Sequence, residues 1–166
     1  PAAEMYGETY GYRSGLNSSM VKHLQLKVSK IEELVNLDDE SLVIDIGSND
    51  STMLQLYPSN IRRIGVDPTG KQFAHHYGEV ELLPTYFTQE NVVKKIGNIK
   101  CKSISSISMF YDLPDPVQFA KDIYSLLDKN GIWVQVTNSS RNYRLINFTA
   151  GSKKPCNPIT LLQMHC

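Results

Sequence analysis

The run Val43-Ile44-Asp45-Ile46-Gly47-Ser48-Asn49-Asp50-Ser51 sets two carboxylates around a single glycine, and Gly65-Val66-Asp67 adds a third after the next apolar run. Apolar residues leading into a tight polar turn predict a buried strand that opens a helix, followed by a second strand ending in a carboxylate. In an open α/β sheet this is where a nucleoside sits: turn amides face a charged ligand group and the second carboxylate accepts ribose hydroxyls. A dinucleotide turn would read Gly-x-Gly-x-x-Gly, so that backbone can approach a pyrophosphate. Here Asn49 and Ser51 stand where such a turn has glycine, and Asp45 and Asp50 would repel phosphates. That disfavours a nicotinamide dinucleotide and favours a cationic ligand, because opposite charges attract in a partly dry site. S-adenosylmethionine, with an ammonium and a sulfonium, has that chemistry. A strand-turn-helix without a ligand is the plain alternative.

The elements that must position these residues follow from periodicity. Residues 1–16 interleave Tyr6, Tyr10 and Tyr12 with Gly7, Gly11 and Gly15, and read as an ordered arm. Asn17-Ser18-Ser19 suits a helix start, and Met20, Leu24, Val28, Ile31 and Val35 then mark one helical face until Asp38-Asp39-Glu40. Strands are expected at 41–47, 62–67, 80–84, 103–110 and 132–136, with helices at 51–57, 70–77, 88–96 and from 117 to Asn130-Gly131. Such alternation predicts a parallel sheet covered on both faces. The expected organisation is an arm (1–16), a Rossmann-like domain (17–137) and an atypical tail (138–166), in which 143–148 forms one further strand. Two strands that such a sheet would normally gain are missing or disguised.

At 166 residues the chain has single-domain length, and Lys+Arg 17 against Asp+Glu 17 leaves no net charge. Without a basic run, neither nucleic acid nor a membrane surface is an expected partner. No apolar stretch approaches a membrane span of about 20 residues, and Pro1-Ala2-Ala3-Glu4 does not read as a signal peptide. Cys101, Cys156 and Cys166 are scattered, which reads as reduced thiols in a cytoplasmic protein without a metal site.

Four ordered blocks carry a family likeness: Tyr10-Gly11-Tyr12-Arg13-Ser14-Gly15-Leu16-Asn17, Asp45-Ile46-Gly47-Ser48-Asn49-Asp50, Gly65-Val66-Asp67-Pro68-Thr69-Gly70 and Met109-Phe110-Tyr111-Asp112-Leu113-Pro114-Asp115-Pro116. Over residues 4–136 the chain resembles the sugar C-methyltransferases, which use S-adenosylmethionine to methylate a carbon of nucleotide-linked 4-keto-deoxysugars. The resemblance implies a class I methyltransferase three-layer sandwich, here with an incomplete sheet. It also implies that Asp45, Gly47, Ser48 and Asn49 surround the methionine end of the cofactor and that Asp67, beside Pro68, holds the ribose. Thr85, Tyr86 and Phe87 fall where the family often has Asp-Phe-Phe along the adenine. Phe110, Tyr111 and Asp112 fall below the sulfonium, and Tyr12, Arg13 and Asn17 belong to the arm that shapes the substrate side.

The chain departs from the pattern in three places. Ser51 replaces a usual glycine, the family's Cys-rich zinc-binding domain has no counterpart in these residues, and nothing after Val136 resembles the family's His-Glu-His stretch. Methylating carbon needs a base beside the ketone and a donor to the enolate. His23, His75, His76 and His165 are expected on the surface or in packing roles, away from the strand ends. Tyr12 and Tyr111 are the candidate donors, with aromatic packing as their plain alternative. Arg13 suits a phosphate or a pairing with Asp45 or Asp112. The expectation is a cofactor-binding methyltransferase core with a small-molecule, sugar-type acceptor and weak or no turnover by itself. Two alternatives stay open: an active methyltransferase for another acceptor, and a non-catalytic remnant whose sheet edge is covered by a partner or by a second copy in a homodimer.

Overall fold

The computed structural model describes residues 12–107, 109, 113–136 and 143–147. Helix α1 (Ser18–Leu34) begins at Asn17, whose carboxamide accepts from the amides of Ser19 and Met20. Leu24, Val28, Ile31 and Val35 are buried along one face and Met20 packs beside them, as the four-four-three-four spacing requires. The helix stops at Leu34, before the acidic cluster expected to end it.

The remaining elements are β1 (Leu42–Ile46), α2 (Thr52–Gln55), β2 (Arg62–Val66), a 3-10 helix (Pro68–His76), β3 (Glu81–Leu83), α3 (Gln89–Ile96), β4 (Cys101–Ile107), α4 (Pro116–Leu126), β5 (Leu127–Val136) and β6 (Tyr143–Asn147). They form one sheet in the order β3-β2-β1-β4-β5-β6, parallel from β3 to β5, with β6 antiparallel at the edge. The expected strand near 143–148 is therefore real, and it extends the sheet beyond residue 137.

Two apolar layers enclose this sheet. On one face α1, α2 and the 3-10 helix cover Val43, Ile132 and Val134; on the other, α3 and α4 cover Ile44, Ile64, Ile104 and Trp133. Strands buried on both faces read as continuous apolar runs, which explains Leu42–Ile46. Trp133 is a core residue, as expected, and its indole N–H donates to Ser106 Oγ at 2.9 Å.

The link from α4 to β5 differs from expectation. Asn130-Gly131 reads as a helix terminator, yet α4 ends at Leu126 and β5 begins at Leu127. The register passes from Cys101↔Leu127 to Ser103↔Ile132, so β5 bulges through Asp128–Gly131. A side chain at Gly131 would press on the Cys101 carbonyl at 2.7 Å, which explains glycine inside a strand. At the other end of α4, Asp115 caps the helix by accepting from Gln118 N, with Pro116 in the first turn as expected.

Candidate functional site

Strand order reverses between β1 and β4, and the loops at the carboxyl ends of these strands define the crevice in which such sheets bind ligands. Asp45 lies one residue before the end of β1 and is in direct register with Ser105 of β4. The Ser105 hydroxyl donates to Asp45 Oδ1 at 2.5 Å, and no cation among the described residues pairs with this carboxylate. Burial drives the Asp45 pKa up to about 7; the Ser105 bond works against that rise and the negative charge of Asp67 adds to it.

The turn after β1 is held in a left-handed path at Gly47 (φ +73°), Asn49 (φ +51°) and Ser51 (φ +61°). Gly47 and Asn49 tolerate that region well; Ser51 does not, and two hydrogen bonds retain it there. Its hydroxyl donates to the His76 carbonyl at 3.2 Å and accepts from Gln55 Nε2 at 2.7 Å. A glycine at position 51 would meet this geometry without strain.

Asp67, at the end of β2, uses both carboxylate oxygens. Oδ1 accepts from Thr69 N and Thr69 Oγ1, each at 2.7 Å, and caps the 3-10 helix. Oδ2 accepts from Asn49 N at 2.8 Å. Oδ1 thus already accepts two donors, whereas Oδ2 keeps a lone-pair site for an incoming hydroxyl. Pro68 begins the 3-10 helix beside it.

The described end of the arm, residues 12–16, packs on this turn. Asn49 Nδ2 donates to the Tyr12 carbonyl at 2.9 Å, and Ser14 N donates to Asn49 Oδ1 at 3.1 Å. Asp50, 2 % exposed, accepts from Gly15 N at 3.1 Å and faces Arg13 Nε at 3.4 Å. Arg13 thus pairs with Asp50 and not with Asp45; Asp112, the other expected carboxylate, lies outside the described residues. A Cβ at Gly15 would meet Thr52 Oγ1 at 2.9 Å, so the missing side chain allows the close approach.

Arg13 Nη2 also lies 3.5 Å from His76 Nδ1. His76, expected on the surface or in a packing role, is half-buried and packs by Arg13 and Ser51. Burial first, then the Arg13 and His75 charges, lower its pKa. His23 lies on α1, where burial and Lys27 lower its pKa.

Several candidates stand apart from this cluster. Asn17 spends its carboxamide oxygen on capping α1. Thr85 is half-buried and its hydroxyl accepts from Asn91 Nδ2 at 3.3 Å, whereas Tyr86 is 54 % exposed. Phe87 turns into the core against Phe119, with ring centroids 5.1 Å apart. Tyr12 is 46 % exposed. Phe110, Tyr111, Asp112 and His165 lie outside the described residues. No group of three or more His, Cys, Asp or Glu side chains suited to a metal occurs among the described residues, and no described helix is long and apolar enough to cross a membrane.

Sequence reading missed Tyr77. It is buried, its hydroxyl lies 2.9 Å from Ser48 Oγ, and it donates to the Asn49 carbonyl at 2.9 Å. A side chain at Gly65 would collide with Ser48 Oγ and with the Tyr77 ring. The available signal was the pair Gly65 and Gly70, small residues that make room for one large ring.

No family model and no curated protein matches the sequence. Solved structures do match. The plantazolicin methyltransferase BpumL, in complex with a pentazolic desmethylPZN analog and SAH, aligns at TM-score 0.58 and 12% identity over 81% of this chain and 52% of its own. The CurJ carbon methyltransferase aligns at TM-score 0.57 and 13% identity over 77% of this chain and 38% of its own. A methyltransferase from Haloferax volcanii, in complex with the Trm112 activator, aligns at 0.51 and 16% over 73% of this chain and 57% of its own. The chain thus spans between about two fifths and three fifths of these neighbours' lengths. At such identities the likeness concerns architecture alone: the chain has the α/β, Rossmann-like fold of the class I S-adenosylmethionine-dependent methyltransferases.

Proposed function

We propose that the chain binds S-adenosylmethionine at the β1–β4 crevice and is the cofactor-binding core of a methyltransferase related to those acting on nucleotide-linked 4-keto-deoxysugars. The observation that carries this reading is the pair of acidic strand ends. Asp45 is a buried carboxylate with a hydroxyl donor and no cation among the described residues, and Asp67 stands at the neighbouring strand end with both oxygens oriented by donors. The fold neighbours with SAH, and the carbon methyltransferase among them, support it.

The residues fit the cofactor chemically. A carboxylate raised to about 7 is half-ionised near neutrality, and an ammonium or sulfonium beside it would restore its charge. Gly47 brings bare backbone to the turn, and among the described residues a side chain there would meet Met109 Sδ at 3.5 Å. Asp67 would accept the ribose hydroxyls, and Thr85 and Tyr86 would border the adenine. When bound, the cofactor supplies an electrophilic methyl group.

The chain's own residues would hold the ligand and exclude water from it. The arm carries Tyr12, a phenol able to donate to a ketone oxygen, and Arg13, whose second edge reaches His76. Tyr111 is the other candidate donor. No histidine is assigned as base in this reading, so turnover without further residues is expected to be weak. The test is release of S-adenosylhomocysteine on mixing with a nucleotide-linked 4-keto-deoxysugar. Slow release, abolished in Tyr12→Phe or Tyr111→Phe, supports the reading. Rapid turnover of an unrelated acceptor would replace the sugar assignment, and cofactor binding without any release would favour a non-catalytic domain.

A further inference from the structure

Tyr77 lies outside every group of residues that the sequence or the resemblance connects with the ligand, yet its hydroxyl is hydrogen-bonded to two residues of the turn that would hold it. Asn49 is the residue on which three parts converge. Its amide goes to Asp67 Oδ2, its side chain clasps the arm at Tyr12 and Ser14, and its carbonyl accepts the Tyr77 hydroxyl. A non-glycine residue at φ +51° is held there by its surroundings. Among the described residues, the Tyr77 hydroxyl is the hydrogen-bond donor to the Asn49 carbonyl. Burial is the chief reason the Tyr77 phenol titrates well above its usual range, so it remains a donor at every physiological pH.

Room for the ring is built in. Side chains at Gly65 or Gly70 would meet Tyr77 at 2.8 and 3.0 Å. The ring is therefore fixed by packing from β2 and the 3-10 helix, and the hydroxyl is presented at one place. Tyr77 pins the Asn49 carbonyl and so restrains the backbone of the residue whose amide donates to Asp67 Oδ2, while Thr69 holds Oδ1.

We infer that Tyr77 is a positioning residue for ligand binding: through the Asn49 backbone it orients Asp67 toward the ribose hydroxyls. The inference rests on the adenosyl-ligand reading of the site and extends it to a residue that touches no ligand.

The experiment is calorimetric titration of the full chain and of Tyr77→Phe with S-adenosylhomocysteine and with its 2′-deoxy derivative. The variant keeps the ring, and thermal melting followed by circular dichroism checks its fold. Expected is an affinity loss of about 3- to 10-fold for S-adenosylhomocysteine, the scale of one buried hydrogen bond. For the 2′-deoxy ligand the loss should shrink to below about twofold, because the hydroxyl that Asp67 receives is gone. Amide exchange at Asn49 should accelerate in the variant, a readout independent of affinity. Equal affinities of wild type and variant, or equal losses for both ligands, would overturn the positioning role while leaving the site reading intact. No binding of S-adenosylhomocysteine by the wild type would remove the site reading itself, and this inference with it.

Discussion

The Ser105 hydroxyl and the Asp45 carboxylate lie 2.5 Å apart across the parallel register that joins β4 to β1, at the point where the sheet reverses its strand order. One donor does not offset the burial of a carboxylate, and its pKa rises to about 7. The folded chain therefore holds a proton that the unfolded chain, with the ordinary Asp value of 3.8, releases earlier. Where the native state binds more protons, stability falls as pH rises. The Asp45 contribution is thus favourable below about pH 4, declines between about 4 and 7, and is constant above. Its ceiling is about 4 kcal/mol, from about 1.4 kcal/mol per unit. Asp45→Asn should raise the urea midpoint at pH 8 and flatten the difference between pH 4 and 7, while losing affinity for a cationic ligand. An unchanged midpoint at pH 8 would contradict this account of Asp45.

The arm is fastened by side chains that the core does not need. Asn49→Gly removes the bonds to Tyr12 and Ser14 but relieves the positive φ. Global stability should change by less than about 1 kcal/mol, because these effects oppose one another. Limited trypsin digestion should then cut after Arg13 several times faster than in wild type. Equal rates would show that Asn49 does not hold the arm.

Arg13 can only donate, so the His76 Nδ1 at 3.5 Å must accept, and only a neutral ring does so. The His76 pKa is lowered, so the contact is fully present above the ordinary histidine value of 6.5 and is lost as pH falls through the folded value. Protonation places a second cation beside Arg13, opposite the single carboxylate of Asp50. Protection of the Ser14 and Gly15 amides against hydrogen exchange should drop in the acid range. The drop should vanish in His76→Gln, where a neutral side chain persists. A drop of the same size in that variant would assign the effect to another group.

Gly65→Ala would force a methyl group against the Tyr77 ring and Ser48 Oγ. Overpacking of this kind costs about 1–3 kcal/mol. The midpoint, followed by the fluorescence of Trp133, the sole tryptophan of the chain, should fall accordingly. An unaltered midpoint would mean that the turn has room the structure does not show.

Much of this was legible in the residues themselves. The α1 stripe, the Asn17 and Asp115 caps, Trp133 in the core and the acid-bearing strand ends follow from period, capping chemistry and apolar runs. The start of β5 was not, because Asp128-Lys129-Asn130-Gly131 has the composition of a helix terminator while pairing as a bulged strand. His76 and Tyr77 were also hidden. His-His-Tyr at the end of a short helix reads as surface, and only the tertiary approach of the β1 turn brings their carbonyl, ring and hydroxyl into use. Arg13 had several carboxylates within plausible reach, and backbone geometry, not composition, selected Asp50.

The most direct test of the two-carboxylate site is calorimetric titration of the chain with S-adenosylhomocysteine near neutral pH, alongside Asp67→Ala. Saturable heat with one ligand per chain in the wild type, lost in the variant while the fold persists by circular dichroism, is the predicted result. Absence of heat at millimolar ligand, or heat unaffected by removing Asp67, would contradict the account.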